Sequence, residues 1–368
     1  MARNANREGS VYRYGKGWRG QITLGYKPDG TPIRKSATAS TKAALLQKLK
    51  DLELEFDGLR LDVPDFTVEE WMQYWLENFK IHDLEATSYV TYEHIVRNHI
   101  VPIFGQYKLR ELTPVQVQKG FTVAYHKTEY SASMIQSIRK IFKLALDKAV
   151  KLRVIKYHPL DGVTMPQGKR AKKVQALTRE EQKKLVTYCE SDDYLTIFVF
   201  LVATGVRISE ALGLTWDRVD FDLEQIHVED IMVEVHGNPM FKPYPKTDAG
   251  IRTIPLNDKA LQLLERQYEL REPEFNYLNL VFPSSTYNFR TTANLRRLFY
   301  RACEEAGIEK TRLHTLRHTF ATRMIEEDCN LKVLSYILGH KRIQTTMNIY
   351  VDALEDFSRA QMRTINIF

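Results

Sequence analysis

Apolar residues recur at two different spacings along this chain, and the change from one to the other divides it. Between Ser10 and Thr38 they alternate with polar residues, as in half-buried strands. Val11–Tyr14, Trp18–Leu24 and Pro32–Thr38 read as three short strands, with turns at Gly15-Lys16-Gly17 and Lys27-Pro28-Asp29-Gly30. A helix, Lys42–Glu55, closes this unit. From Thr67 the spacing becomes helical. Thr67-Val68-Glu69-Glu70 is a capping box opening a helix over Trp71–Phe79, and a second helix is expected over Ser88–His99. Thr113-Pro114-Val115-Gln116 caps a third, with proline at its first position. Ser131–Leu152 is a long helix whose core positions are Ile135, Ile138, Ile141, Phe142, Leu144 and Ala149.

His158-Pro159 ends the helical block, and a stretch with Pro166, Gly168 and a basic run from Lys169 to Lys173 follows. Thr178-Arg179-Glu180-Glu181 is another capping box and opens the last part of the chain. The pattern predicts a multidomain protein, mainly α with small β-sheets: residues 1–62, a helical block 66–160, a linker 161–175, and a mixed α+β domain 176–368.

Composition narrows the class. With 43% hydrophobic and 27% charged residues and no long apolar run, the chain reads as globular, without a membrane span or a signal peptide. Cys189, Cys303 and Cys329 are odd in number and widely spaced, which argues against a disulfide framework or a zinc site and fits a reducing cytoplasm. Charge is unevenly placed. Residues 1–42 carry nine Lys/Arg against two acids, and the remaining 326 residues balance at 44 against 44. A basic head on a neutral body is a footprint for a polyanion.

The candidate chemistry lies near the C-terminus. His314 and Arg317 are spaced i, i+3 and share a helix face, with helix-forming residues continuing over Phe320–Glu327. Leu331–Leu338 reads as a second amphipathic helix, stopped by Gly339, so that His340 sits just past a helix end. Tyr350 follows. Taken singly these are commonplace: a histidine is usually solvated or satisfied, a tyrosine usually core, a helical arginine usually a surface charge. Upstream, an apolar run Tyr194–Ala203 leads into Thr204-Gly205-Val206-Arg207 and Glu210-Ala211-Leu212-Gly213-Leu214. Lys246 precedes a turn, Asp248-Ala249-Gly250, and an alternating strand Ile251–Leu256. Alone, the first could be a helix corner with a surface arginine and the second an ordinary hairpin lysine.

In combination and order, these motifs resemble those of the tyrosine recombinases, the phage integrase family, and in particular integrases of temperate phages and conjugative transposons. The resemblance implies that Arg207, Lys246, His314, Arg317, His340 and Tyr350 are the catalytic set, with no metal and no cofactor. The β-β-β-α head resembles the family's arm-type DNA-binding domain, and the block 66–160 its core-binding domain. Expected DNA contacts are Arg13, Arg19, Arg34 and Lys35 in the head, Arg97, Lys140 and Lys143 in the helical block, and Lys172 in the linker; a solvated helix face serves equally for any one of the helical residues. Trp18 and Tyr14 are expected in the core of the small sheet.

The chemistry suits the set. Cutting a phosphodiester without a metal builds charge on two non-bridging oxygens, which the forked guanidiniums of Arg207 and Arg317 can hold. Lys246, in a cationic site, can give a proton to the leaving 5′ oxygen. Tyr350, a phenol of ordinary pKa about 10, must lose a proton to attack, and His314 can accept it while His340 donates to a phosphate oxygen. The expected function is site-specific integration and excision of a mobile element through a covalent 3′-phosphotyrosine. The alternatives are a chromosome-dimer resolvase or invertase of the same family, or a relative that binds DNA without cutting it. Double-stranded DNA with core and arm att sites, a homo-tetramer on DNA, an excisionase or directionality factor and a DNA-bending host protein are the expected partners, in the cytoplasm of a bacterial host, on the nucleoid when DNA-bound.

Overall fold

The N-terminal alternation becomes a three-stranded antiparallel sheet in the computed structural model, which describes residues 10–26, 29–128, 130–168, 175–243, 250–347, 349 and 351. The chain divides into two compact units, residues 1–171 and 172–368.

In the first unit, β1 (Ser10–Tyr14), β2 (Gly17–Tyr26) and β3 (Pro32–Ala39) pair in that order. Opposite partners share a face of the sheet. Val11, Gly20 and Ala37 form one row, and Tyr12, Arg19 and Thr38 the next, on the other face. Helix α1 (Lys42–Phe56), capped by the Thr41 hydroxyl, covers the first face with Leu45 and Leu49 against Ile22. Gly20 permits this approach, since a Cβ there would lie 2.7 Å from Leu49 Cδ1.

The register sorts the basic residues by face and corrects one expectation, that for Tyr14. Arg13 pairs with Trp18 and Lys35 with Ile22, so both belong to the α1 face; Arg13 lies over the Trp18 ring and Lys35 over Phe56. Arg19 and Arg34 belong to the open face. Trp18 packs against the small core as expected, but Tyr14 is 59% exposed, with the Arg19 guanidinium over its ring. One-residue alternation puts Tyr14 on the face that no helix covers.

The helical block begins at α2 (Val68–Trp75), where Thr67 and Glu70 make both bonds of the capping box. It continues through a π turn, Leu76–Lys80, and α3 (Ala86–Ile95) through another, Val96–Ile100. The wider turns keep Trp75 with Leu76, and Ile95 with Val96, all facing the core. Helices α4 (Val101–Phe104), α5 (Pro114–Thr128) and α6 (Ala132–Lys151) complete it. Phe104 stacks on Phe142 at 5.2 Å, and Trp71 donates to the Ala145 carbonyl. Leu144, expected in this core, is exposed; Ala145 and Leu146 fill the stripe instead. Arg97, Lys140 and Lys143 are all exposed, and Lys143 pairs with Asp147 one turn on at 2.7 Å.

The second unit opens with α7 (Arg179–Glu190), again with a complete capping box from Thr178 and Glu181. The apolar run becomes α8 (Thr196–Thr204), buried on nearly every side, as its unbroken hydrophobicity requires. Then come α9 (Ile208–Leu212), β4 (Val219–Asp220), β5 (Gln225–Val228), the hairpin β6 (Asp230–Val235) and β7 (Asn238–Pro243), and β8 (Arg252–Pro255). A three-stranded sheet runs in the order β4-β5-β8. Helices α10 (Asp258–Glu269), α11 (Thr292–Glu305), α12 (His314–Glu326) and α13 (Leu331–Leu338) follow, and α8 packs against α7, α10 and α12.

The fold is thus mainly α with small antiparallel sheets, the last unit mixed α+β. Among the described residues no helix is long and apolar enough to cross a membrane, and no cluster of His, Cys, Asp or Glu could hold a metal ion.

Candidate active site

Two glycine-terminated helices frame the site. Helix α8 ends at Gly205 with φ 65°, and α13 ends at Gly339 with φ 61°, both left-handed caps that favour glycine. A Cβ at Gly205 would lie 2.2 Å from the Phe320 ring. These ends present carbonyl oxygens that the helices leave unpaired and that carry partial negative charge.

Both candidate arginines use them. Arg317, on the first turn of α12 and 5% exposed, donates from Nη1 to the Gly205 carbonyl at 2.8 Å and from Nη2 to the Leu338 carbonyl. Arg207 sits in extended conformation at the start of α9 and donates from Nη2 to the Gly339 carbonyl at 2.8 Å. The two guanidiniums are therefore anchored on consecutive carbonyls, those of Leu338 and Gly339. Arg207 keeps 32% of its side chain exposed.

A buried carboxylate organises Arg207. Glu210, three residues on, accepts from the Arg207 backbone N–H and from its Nη1, each at 2.7 Å. Arg252 of β8 reaches the same carboxylate with Nη2 at 2.8 Å and Nη1 at 3.1 Å. Burial alone would push the Glu210 carboxyl up, but the hydrogen bonds and charge of Arg252, and then of Arg207, outweigh it and hold it at about 2.

The histidines follow. His340 comes directly after Gly339, and its Nδ1 lies 2.9 Å from the hydroxyl of the fully buried Thr346. Burial lowers its imidazole to about 4, helped by the charges of Arg317, Arg207, Arg252 and His314. His314, at the start of α12, is lowered by burial, then by Arg317, His318 and Arg207, although it keeps a side open to solvent. The same surroundings favour the neutral form of both rings, in which one ring nitrogen donates a hydrogen bond and the other accepts one.

Arg207, His314, Arg317 and His340 are thus brought to one place, as the motif order implied. Lys246, Tyr350 and Lys172 lie outside the described residues. The sequence reading passed over Glu210, Arg252 and Gly339 as functional parts. A signal existed for the first two: the Arg207-x-x-Glu210 spacing, and an arginine sharing a strand face with the core residue Ile254. Three guanidiniums in one site with a single carboxylate, which Arg207 and Arg252 share while Arg317 is held by backbone carbonyls, leave a net positive charge suited to an anion such as a phosphodiester.

Residues 175–356 match the phage integrase family, and residues 67–122 match the N-terminal SAM-like domain of phage integrases. A XerC-like tyrosine recombinase from Caldanaerobacter subterraneus subsp. tengcongensis is 27% identical, with 95% of each chain covered. The ICEBs1 integrase of Bacillus subtilis is also 27% identical, over 89% of this chain and 91% of its own length. The Tn1549 transposon integrase in complex with transposon right end DNA shares the fold, with a TM-score of 0.67 at 24% identity over 82% of this chain and 99% of that one. So does a lambda integrase from a tetramer bound to a Holliday junction, with a TM-score of 0.60 at 16% identity over 96% of this chain and 97% of that one. With two phage integrase domains matched in the family's order and full-length relatives on either side, the chain belongs to the phage integrase family, the tyrosine recombinases.

Proposed function

We propose that this tyrosine recombinase integrates and excises a mobile element by cutting and rejoining DNA at att sites, through residues Arg207, Lys246, His314, Arg317, His340 and Tyr350. The observation that carries the assignment of the site is the anchoring of Arg207 and Arg317 on the consecutive carbonyls of Leu338 and Gly339. Two guanidiniums fixed side by side are a fork for the two non-bridging oxygens of one phosphate.

In this reading the Tyr350 oxygen attacks phosphorus while its proton passes to His314. The P–O3′ linkage is retained, a P–O(Tyr) bond forms, and the P–O5′ bond breaks. Lys246 gives the leaving 5′ oxygen its proton. His340, neutral and held by Thr346, donates to a phosphate oxygen. The bond energy is kept in the phosphotyrosine, so a 5′-hydroxyl from another strand reverses the step; the reaction needs neither ATP nor a metal ion.

The domain reading goes with it: residues 1–62 bind arm sites, 66–160 grip the core site, 161–175 link, and 176–368 carry the chemistry. Arg19 and Arg34, by their register on the open face, and Arg97 and Lys140, by their exposure, are the favoured DNA contacts. Arg13 and Lys35 are weaker candidates, since they stand on the helix-covered face, and so is Lys143, which already pairs with Asp147; Lys172 in the linker completes the proposed set. Assembly as a homo-tetramer on two DNA sites, with an excisionase or directionality factor and a DNA-bending host protein, belongs to the same proposal, as does residence on the bacterial nucleoid.

The test is a nicked att core-site duplex whose cleavage traps the covalent adduct. The wild-type chain should give a protein–DNA band that survives denaturant without added metal. Tyr350→Phe should bind the duplex equally and give no band. A covalent band from the Phe variant would remove Tyr350 from the mechanism.

A further inference from the structure

Arg252 stood in the sequence as an ordinary strand residue, yet it is 4% exposed and its guanidinium reaches three separate segments. Nη2 and Nη1 hold the two oxygens of Glu210; Nε donates to the Ile337 carbonyl at 2.7 Å, in the last turn of α13; Nη1 also donates to the Gly250 carbonyl at 3.1 Å. The guanidinium lies so close to the backbone that a Cβ at Gly339 would meet it at 2.9 Å. Gly339 is the residue whose carbonyl receives Arg207, and His340 is the next in sequence.

We propose that Arg252 is a positioning residue for strand cleavage, holding Glu210 and the end of α13 in one register so that Arg207 and His340 face the same phosphate. The proposal rests on the reading of Arg207 as a phosphate clamp.

Two physical effects follow from the shared carboxylate. The first is geometric. Glu210 fixes Arg207 by its backbone and side chain, and Arg252 fixes Glu210 to α13, so the arginine and the histidine move as one body. The second is electrostatic. Each Glu210 oxygen accepts from both arginines. Without Arg252 the carboxylate would be satisfied by Arg207 alone and would compete with the substrate phosphate for that guanidinium. A buried ion pair serving stability alone can often be replaced by apolar residues without loss. One that neutralises a carboxylate next to a substrate-binding arginine cannot. Lysine is a poor substitute, because a point charge lacks the fork that reaches Glu210 and two carbonyls together.

The experiment uses the full chain and two nicked att core-site duplexes. One has a normal scissile phosphate, the other a methylphosphonate, which carries no negative charge and so relaxes the demand on Arg207. The proteins are wild type, Arg207→Ala, Arg252→Gln and Arg252→Lys, with circular dichroism and duplex binding recorded for each. On the normal duplex Arg252→Gln should bind as wild type and cleave more slowly by on the order of 10- to 100-fold, the cost of a misplaced catalytic group. On the methylphosphonate duplex that deficit should shrink, as it should for Arg207→Ala. Arg252→Lys should be folded and intermediate, and it runs the same comparison if the glutamine variant does not fold. Wild-type cleavage by the Arg252 variants, or an equal deficit on both duplexes, overturns the proposal. Wild-type cleavage by Arg207→Ala would instead overturn the clamp reading beneath it.

Discussion

Arg207 donates to the carbonyl oxygen of Gly339 at 2.8 Å, across 132 positions of sequence. The bond joins the start of α9 to the end of α13 and needs a glycine at its acceptor. Gly339 has φ 61°, and a side chain there would press on Arg252. Gly339→Ala should therefore lose stability by about 1–2 kcal/mol from left-handed strain alone, measured by urea unfolding. Covalent-complex formation should drop by on the order of 100-fold through misplacement of the two arginines. A folded Gly339→Ala chain that cleaves normally would show that this carbonyl does not set the position of Arg207.

Arg317 bridges the ends of two helices, Gly205 on one side and Leu338 on the other, from a nearly fully buried position. Arg317→Lys retains charge and loses the bridge. Single-turnover cleavage should fall by about 100- to 1,000-fold, as for a lost oxyanion donor, and Arg317→Ala should do no better. Recovery to near wild-type rate in the lysine variant would mean that charge suffices and the fork is not used.

Much of this was readable from the chain because local signals agreed with the final packing. Thr67 with Glu70 and Thr178 with Glu181 formed their capping boxes, and Gly339 ended its helix in the left-handed conformation foreseen for it. The missed strands β4 and β5 are short, and the turns between the missed strands use non-glycine residues with positive φ, Glu224 at 48° and His236 at 49°, the latter followed by Gly237 at 81°. No Asn-Gly or Asp-Gly announced them. Within the site, motif spacing pointed to Arg207, His314, Arg317 and His340. It did not point to Arg252, whose role depends on contacts 42 and 85 positions away. Tyr14 and Leu144 were misplaced for a simpler reason: hydrophobicity predicts burial, but register decides which face a residue joins, and both fell on the uncovered one.

His340 carries a pH dependence. Its folded-state pKa is depressed to about 4 by burial and by Arg317, Arg207, Arg252 and His314, while an unfolded histidine titrates near about 6.5. As pH falls through about 6.5 the unfolded chain takes up the proton first, so stability is lost progressively between about 6.5 and about 4. His314 acts in the same direction. The melting temperature of the free wild-type chain should fall between pH 7 and pH 5 by more than that of His340→Gln. Equal falls in the two proteins would show that His340 does not stay neutral in the folded state.

The head domain offers a test that separates its two faces. Arg19 and Arg34 stand on the open face of the sheet, in rows with Tyr12 and Thr38, and with Thr23. Arg13 and Lys35 stand on the α1 side, over Trp18 and Phe56. If the open face meets the DNA backbone, each arginine there that neutralises a phosphate should contribute about 0.9 to the slope of log affinity against log salt. Arg19→Ala and Arg34→Ala should each flatten that slope by about this amount on an arm-site duplex, measured by anisotropy across a sodium chloride series. Arg13→Ala should leave the slope nearly unchanged and lower thermal stability instead, because its guanidinium packs on an indole that belongs to the small core. Should Arg13→Ala flatten the slope as much as Arg19→Ala, the DNA would have to approach the helix-covered side, and the assignment of faces would be wrong.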